Sequence, residues 1–238
     1  MKYNLDSFKK GCEALDLKLT DKQYENFIRY YEMLIEKNKV MNLTAITDFD
    51  EVFNKHFLDS LAINKVYDIS KVQSLIDIGS GAGFPGLPIK IAFPHIRVVL
   101  LDSLNKRIDF LKTVIDELGL TNIECVHGRA EDFARDESFR EKFDLSLSRA
   151  VANLRVLLEY DVPFVKVGGN FVSYKAADVQ AEIEESKNAM NEMGVSLIEK
   201  ELLIPGTELK RKFLIFNKTK NTNEKYPRKA GVPQKKPL

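Results

Sequence analysis

The chain has 238 residues, of which 44% are hydrophobic and 30% charged, and its formal net charge is +1. This composition fits a globular enzyme, and it excludes a membrane-spanning helix because no apolar run approaches the roughly 20 residues that such a helix needs. The amino terminus lacks a signal-peptide core, and the two cysteines, Cys12 and Cys125, indicate buried, reduced thiols in a cytoplasmic protein. The three histidines show no ligand spacing, so no metal site is predicted.

The first part of the chain is predicted to be helical. Thr20 and Gln23 have the spacing of a capping box. Apolar side chains then recur at helical spacing, and a second such segment covers about 49–63. Their aromatic rings favour a packing face over a ligand site. We therefore expect an N-terminal helical extension over residues 1–66, with an apolar stripe formed by Tyr24, Phe27, Ile28, Tyr31, Leu34 and Ile35.

From residue 72 the pattern alternates between strands and helices, which predicts a mostly parallel, Rossmann-like α/β sheet. Two further strands, 196–204 and 212–217, are joined by a turn at Pro205 and Gly206, and this predicts a C-terminal antiparallel hairpin. That hairpin is foreign to the dinucleotide fold and resembles the end of the class I methyltransferase sheet. This domain is expected over 67–218, with strands near 72–78, 97–102, 123–127, 143–148 and 169–175, and helices near 85–93, 104–118, 152–162 and 178–193.

A glycine-rich loop follows the first strand. Glycines permit tight turns and close approach of a ligand to the backbone, so a strand, glycine loop and helix in this order predict a nucleotide-like cofactor site. The string Gly81-x-Gly83-x-x-Gly86 also satisfies the dinucleotide fingerprint, which leaves a nicotinamide or flavin enzyme open. The acid two residues before the first glycine instead resembles the first motif of S-adenosylmethionine-dependent methyltransferases. The full pattern is Asp77-x-Gly79-x-Gly81-x-Gly83.

A second carboxylate, Asp102, ends the next strand. In that position it can accept hydrogen bonds from the two ribose hydroxyls of an adenosine. Both cofactor classes contain adenosine, so Asp102 does not choose between them. An alternative role is capping of the helix near 104–118, with Ser103 as the capping residue.

Two later strand ends add candidate residues. The loop at 128–132 contains Ala130 and Glu131, and its backbone amides are placed to meet an adenine edge or simply to start a helix. Arg149 follows the fourth strand, and its planar donors suit a carboxylate, a phosphate or a guanine edge. The plain alternative for Arg149 is a structural ion pair.

The C-terminal part of the chain is strongly basic. Lys210 to Leu238 contains ten Lys and Arg residues and a single acid, Glu224. Its prolines and glycine predict an extended arm over 219–238, suited to RNA phosphates and to base stacking, although a solubilising tail has the same composition. The candidate RNA-binding residues are Lys225, Tyr226, Arg228, Lys229, Lys235 and Lys236.

Several motifs occur together in one order, and their combination resembles the bacterial RsmG (GidB) family from about Tyr24 to the end of the chain. Members of that family use S-adenosylmethionine to methylate N7 of a guanine in small-subunit (16S) ribosomal RNA. The motifs are 42–46 (Asn-Leu-Thr-Ala-Ile), 56–60 (His-Phe-Leu-Asp-Ser), 77–88, 101–107 (Leu-Asp-Ser-Leu-Asn-Lys-Arg), 129–131 (Arg-Ala-Glu), 148–152 (Ser-Arg-Ala-Val-Ala) and 225–229 (Lys-Tyr-Pro-Arg-Lys).

The resemblance implies cofactor contacts at Gly79, Phe84, Ala130, Glu131 and Arg149. It implies a ribosomal RNA or a subunit assembly intermediate as partner, and we expect a monomer. Guanine N7 carries a free lone pair, so no general base is required and catalysis is expected to depend on positioning, with Arg149 as the best candidate. A nicotinamide-dependent oxidoreductase and a non-catalytic RNA-binding factor are the alternatives.

Overall fold

The protein is described by a computed structural model that covers residues 3–149, 152–176 and 178–238. The α-helices are α1 Asp6–Ala14, α2 Asp21–Met41, α3 Phe49–Val52, α4 Asp59–Leu61, α5 Gly86–Ala92, α6 Asn105–Leu118, α7 Ala130–Phe133, α8 Leu154–Asp161, α9 Gln180–Glu185, α10 Lys187–Met193 and α11 Val232–Lys235. The strands are β1 Ser74–Ile78, β2 Arg97–Asp102, β3 Ile123–His127, β4 Phe143–Arg149, β5 Val165–Lys175, β6 Val195–Leu203 and β7 Lys210–Lys218.

The seven strands form a single sheet in the order β3-β2-β1-β4-β5-β7-β6. The five strands from β3 to β5 are parallel to their neighbours, whereas β7 lies antiparallel between β5 and β6. The predicted fold class, a mostly parallel Rossmann-like sheet with a C-terminal antiparallel hairpin, is therefore confirmed. Because β1 to β5 run the same way, their carboxyl ends meet at one edge of the sheet.

The central strands are buried on both faces, as expected for a parallel sheet covered by helices. Val98, Val99 and Leu100 in β2 are fully buried, although neighbouring side chains point to opposite faces. Two predicted boundaries were wrong. Strand β5 begins at Val165 rather than near residue 169, and the single helix expected over 178–193 is divided into α9 and α10 at Ser186.

The N-terminal helices pack directly on the sheet domain. The predicted capping box is present, because Thr20 Oγ1 accepts from the Gln23 backbone N–H at 3.3 Å and Gln23 Oε1 accepts from the Thr20 N–H at 2.8 Å. The aromatic rings of Phe8, Phe27 and Phe57 meet in one cluster that is continuous with the buried side chains of β1 and β2. The predicted second helix is present as a continuous run of short helical pieces: α3, a π-helical turn at Phe53–Leu58, α4 and a 3-10 turn at Ala62–Lys65.

The C-terminal segment 219–238 is not an extended arm, so that prediction was wrong. Arg228 donates to both carboxylate oxygens of Glu159 in α8, at 2.6 to 3.1 Å, and Glu159 is fully buried. Tyr226 is only 4% exposed and its hydroxyl donates to Glu192 at 2.7 Å. Composition suggested a free arm because it does not show that acids elsewhere in the chain neutralise these basic residues. The ring of Tyr226 is consequently not available for base stacking.

The two thiols differ in their surroundings. Cys12 is buried, as expected, whereas Cys125 is only half-buried, and neither forms a disulfide. Burial raises the pKa of both thiols to about 12, which keeps them protonated and unreactive.

Candidate functional site

Two adjoining cavities open at the carboxyl edge of the sheet, where β1, β2 and β4 end. The first has a volume of about 310 Å³ and the second about 460 Å³. They share Gly79, Asp102 and Ser103 as a common border. The rest of the first cavity is formed by Ile78, Leu101, Gly128, Arg129, Ala130, Glu131, Ala152, Tyr160 and Gln234. The rest of the second is formed by Leu43, Thr44, His56, Ser80, Gly81, Ala82, Phe84, Arg107 and Arg149.

The glycine loop borders both cavities in a backbone conformation that other residues rarely adopt. The φ angles of Gly79, Gly81 and Gly83 are +72°, +61° and +108°. At Gly83 a Cβ atom would also lie 2.6 Å from Leu87 Cδ1 and 2.6 Å from the Tyr30 hydroxyl. Gly79 and Gly81 line the cavities, whereas Gly83 lines neither and is packed against side chains of the protein, so its predicted contact with the cofactor stays a prediction.

Asp77 lies beneath this loop and lines neither cavity. Its Oδ2 accepts from the Gly86 N–H at 2.9 Å, whereas its buried Oδ1 has no hydrogen-bond partner. Burial raises the pKa of Asp77 to about 7, against the opposing effects of the Gly86 hydrogen bond and the charge of Arg149. Asp77 therefore shapes the turn of the loop, and its predicted role beside the cofactor stays a prediction.

Asp102 stands at the border of the two cavities, and its predicted contact with a ribose stays a prediction. Its Oδ2 accepts from the Gly81 N–H at 2.9 Å and from Arg107 at 3.3 Å, and its Oδ1 accepts from the Leu104 N–H at 2.9 Å. A carboxylate offers about four acceptor positions, so one position remains and the long Arg107 contact is the easiest to exchange for a ribose hydroxyl. Ser103 does not cap helix α6, whose N-cap residue is Leu104 and which has no side-chain cap hydrogen bond.

Ala130 and Glu131 lie together on the wall of the first cavity, in the first turn of α7. Glu131 is only 4% exposed, and its Oε1 accepts from the backbone N–H of Gly231 at 2.9 Å. Tyr160 completes this wall, and burial together with the charge and hydrogen bond of Glu131 raises its pKa to about 12. The helix start that the sequence offered as one alternative is therefore present, whereas the contact of the backbone amides with an adenine edge stays a prediction.

Arg149 is held at the end of the second cavity by an ion-pair cluster. Its Nη1 donates to Asp59 Oδ2 at 2.8 Å, and Arg211 donates to both oxygens of the same carboxylate at 2.8 and 2.9 Å. Asp59 is fully buried, while the two arginine side chains are 11% and 16% exposed. The Arg149 guanidinium also lies 5.0 Å from the centre of the Phe84 ring. Two arginines against one carboxylate leave one positive charge in excess, which suits an anionic ligand group.

The same cavity contains residues to which the sequence analysis gave no role. The His56 ring stacks on Phe84 with centroids 4.7 Å apart, and its Nε2 is 2.8 Å from the Thr44 hydroxyl. Burial, followed by the charge of Arg149, lowers the pKa of His56 to about 4, so the ring is uncharged at neutral pH. Thr44 and His56 belong to the motifs at 42–46 and 56–60, and the family resemblance of these motifs was the sequence signal that could have identified both residues as part of the site.

The predicted residues separate into two groups. Seven predicted cofactor residues line the cavities: Gly79, Gly81, Phe84, Asp102, Ala130, Glu131 and Arg149. The predicted RNA-binding residues line neither cavity, but Lys225, Lys229, Lys235 and Lys236 are exposed. Ala150 and Val151 of the motif at 148–152 lie outside the described residues.

Two other properties bear on the class of site. Within 3–149, 152–176 and 178–238, no three His, Cys, Asp or Glu side chains are grouped so that they would hold a metal ion. In the same described ranges, no helix combines the length and the apolar character that crossing a membrane requires.

The sheet order, the antiparallel β7 and the glycine loop after β1 define a class I methyltransferase fold. Among solved structures, a putative O-methyltransferase from Klebsiella pneumoniae is similar, with a TM-score of 0.55, 12% sequence identity, and coverage of 80% of this chain and 90% of that chain. An O-methyltransferase family protein from Burkholderia thailandensis has a TM-score of 0.54, 14% identity, and coverage of 83% and 69%. At these identities the similarity shows the fold alone.

The chain belongs to the GidB family, described as rRNA small subunit methyltransferase G, whose model matches residues 23–205. A protein from Lachnoclostridium phytofermentans named ribosomal RNA small subunit methyltransferase G is 49% identical over 233 residues, which cover 98% of this chain and 96% of the relative. One of the same name from Alkaliphilus metalliredigens is 46% identical and covers 97% of both chains. The predicted family and enzyme class are confirmed.

Proposed function

We propose that this protein transfers a methyl group from S-adenosylmethionine to N7 of a guanine in small-subunit (16S) ribosomal RNA. The observation that carries the proposal is the pair of adjoining cavities that meet at Gly79 and Asp102. One cavity has the wall expected for a nucleoside, and the other contains an aromatic surface and an arginine. Together they fit a ligand with a nucleoside at one end and a charged amino acid at the other, beside an acceptor base.

The residues present fit this cofactor. Gly79 and Gly81 border the cavities at φ angles that side chains rarely adopt, and Asp102 has acceptor capacity for a ribose hydroxyl. The excess positive charge around Asp59 suits the carboxylate of a methionine moiety. When bound, S-adenosylmethionine supplies an electrophilic methyl group on a sulfonium sulfur.

The protein's contribution to the reaction is positioning. Guanine N7 has a lone pair in the plane of the ring and no proton, so methylation there needs no general base. His56 is uncharged at neutral pH, with a pKa of about 4, and therefore does not repel a sulfonium ligand. The stacked rings of His56 and Phe84 offer an aromatic surface to a base. Correct orientation is worth up to about 7–11 kcal/mol in favourable reactions.

The proposal also covers the partner of the protein, its RNA contacts, its oligomeric state and location, and the functional parts of the chain. An RNA or a ribosomal subunit assembly intermediate is the proposed partner, and exposed Lys225, Lys229, Lys235 and Lys236 are proposed phosphate contacts. Residues of this chain alone line both cavities, which supports action as a monomer. The proposed place of action is the cytoplasm, because ribosomal RNA is found there. The helical extension 1–66, the cofactor domain 67–218 and the basic segment 219–238 are proposed as its functional parts.

The test combines methylation and binding. Purified protein is incubated with methyl-labelled S-adenosylmethionine and either naked 16S ribosomal RNA or small-subunit particles, and the modified base is mapped. Arg149→Ala should lower methyl transfer by about 100-fold, the effect of misplacing a reacting group by about 1 Å. The control is Arg97→Ala, because Arg97 begins β2 at the opposite edge of the sheet, where it pairs with exposed Glu124 and lies over the ring of Phe143.

Each outcome has a clear meaning. Methylation at guanine N7 that is lost in Arg149→Ala and retained in Arg97→Ala supports the proposal. If NAD raises the melting temperature of the protein and S-adenosylhomocysteine does not, the protein is a nicotinamide enzyme and the proposal is wrong. If Arg149→Ala retains normal turnover, Arg149 is not part of the site.

A further inference from the structure

The wall of the first cavity contains one residue from the C-terminal segment. Gln234, in α11, lines this cavity together with Ala130, Glu131 and Tyr160. Gln234 follows Glu131 by 103 positions, so only the tertiary fold brings them to one cavity. Gln234 is exposed.

The segment that carries Gln234 is fastened at several points. The Gly231 N–H donates to Glu131 Oε1 at 2.9 Å, three residues before Gln234. Arg228 is paired with the fully buried carboxylate of Glu159, and the Arg228 backbone N–H donates to the same carboxylate at 2.7 Å. These bonds fix the chain on both sides of the turn at 229–230, so they hold α11 in place beside the cavity.

Arginines from the loop after α7 hold the start of the same segment. Arg140 donates to the carbonyl oxygens of Thr222 and Tyr226, both at 2.9 Å. Arg135 donates to the carbonyl oxygen of Pro227 at 2.5 Å. These bonds connect the loop that follows α7 to residues 222–227 of the C-terminal segment.

The chemistry of Gln234 suits one ligand group. A glutamine amide carries a donor and an acceptor side by side, and Asn or Gln forms a paired contact with N6 and N7 of adenine. Glu131 cannot take this role with both oxygens, because one already accepts from Gly231. Among the residues that line this cavity, Gln234 is the one with a side-chain amide.

We propose that Gln234 recognises the adenine base of the cofactor, and that the C-terminal segment exists in part to bring it there. This inference rests on the proposed function, since it assigns an adenine nucleoside to the first cavity. Glu131 then acts as a positioning residue that holds Gly231, and through it α11, against the cavity.

The experiment measures base discrimination by isothermal titration calorimetry. The ligands are S-adenosylhomocysteine and its inosine analogue, in which an oxygen replaces the N6 amino group. The variant is Gln234→Leu, which keeps the approximate size of the side chain and removes its amide. The matched control is Gln180→Leu, the same substitution at an exposed glutamine that begins α9 and lines neither cavity.

The wild-type protein should bind the adenosine ligand about tenfold more tightly than the inosine ligand, the lower part of the range for a paired base contact. Gln234→Leu should bind S-adenosylhomocysteine about tenfold more weakly and lose the discrimination, whereas Gln180→Leu should change neither. A loss of affinity for both ligands with the ratio preserved would assign Gln234 a structural role only and overturn the inference.

The two proposals fail in distinguishable ways. If wild-type protein binds S-adenosylhomocysteine and Gln234→Leu matches it in affinity and discrimination, only the role of Gln234 is wrong. If the wild-type protein itself does not bind S-adenosylhomocysteine, the proposed function is wrong as well. Thermal unfolding of each variant confirms that the chain is folded, and a folded variant is required for either conclusion.

Discussion

The buried carboxylate of Asp59 provides the sharpest test of the site's electrostatics. Asp59 is fully buried and accepts three hydrogen bonds from Arg149 and Arg211, at 2.8 to 2.9 Å. Asp59→Asn keeps the shape of the side chain but removes its charge, which leaves two largely buried guanidinium groups without a counter-charge. Breaking a buried ion pair in this way costs about 3–5 kcal/mol, so we expect the free energy of unfolding to fall by that amount.

Urea unfolding measures this loss. If the slope of the unfolding free energy against urea concentration is the same in the variant and the wild-type protein, the two proteins expose the same surface on unfolding and their free energies can be compared. The matched control is Asp68→Asn, since Asp68 pairs with Lys71 at 2.8 Å but the two side chains are 55% and 84% exposed. An exposed pair contributes about 0–1 kcal/mol, so the control should be nearly neutral. If Asp59→Asn were as mild as Asp68→Asn, the cluster would not position Arg149 and the reasoning would be refuted.

Three further predictions concern the loop, its acid and the C-terminal segment. Gly83→Ala should abolish measurable S-adenosylhomocysteine binding in calorimetry, because φ is +108° and a Cβ has no space, whereas Gly119→Ala, at +61° in open space, should bind normally. The pKa of Asp77 is raised from 3.8 to about 7, so its contribution to stability is fully present below about pH 4 and is lost as the pH rises toward 7. The free energy of unfolding of the wild-type protein should therefore fall by roughly 4 kcal/mol over that pH range, and that of Asp77→Asn should not. Equal pH profiles for the two proteins would contradict this prediction. Arg228→Ala should cost about 3–5 kcal/mol in urea unfolding by leaving a buried carboxylate unpaired, and Lys229→Ala, at an exposed position, should not.

The sequence was a reliable guide wherever structure depends on neighbouring residues. The capping box of Thr20 and Gln23, the strand at 97–102 and the glycine loop are local patterns, and each is present where it was predicted. The division of the helix at Ser186 and the early start of β5 were missed, because helix continuity and strand length depend on what packs against them.

The candidate site was predictable to a lesser degree. Residues that follow strand ends, such as Asp102 and Arg149, were found because parallel strands place their carboxyl ends at one edge. Asp59 and Arg211, which hold Arg149, were missed because they are separated by 152 positions along the chain and carry no motif that links them. Gln234 was missed for the same reason.

Taken alone, the order of residues determined the parallel sheet with its terminal hairpin, the glycine cradle and the family resemblance, since hydrophobic periodicity, glycine spacing and short motifs are local properties. Only the tertiary structure decided that Arg149 is clamped by a shared carboxylate and that the basic C-terminal segment packs against the cofactor domain. The physical reason is that ion-pair partners and burial are set by contacts between distant parts of the chain, and neither net charge nor composition records which charges meet.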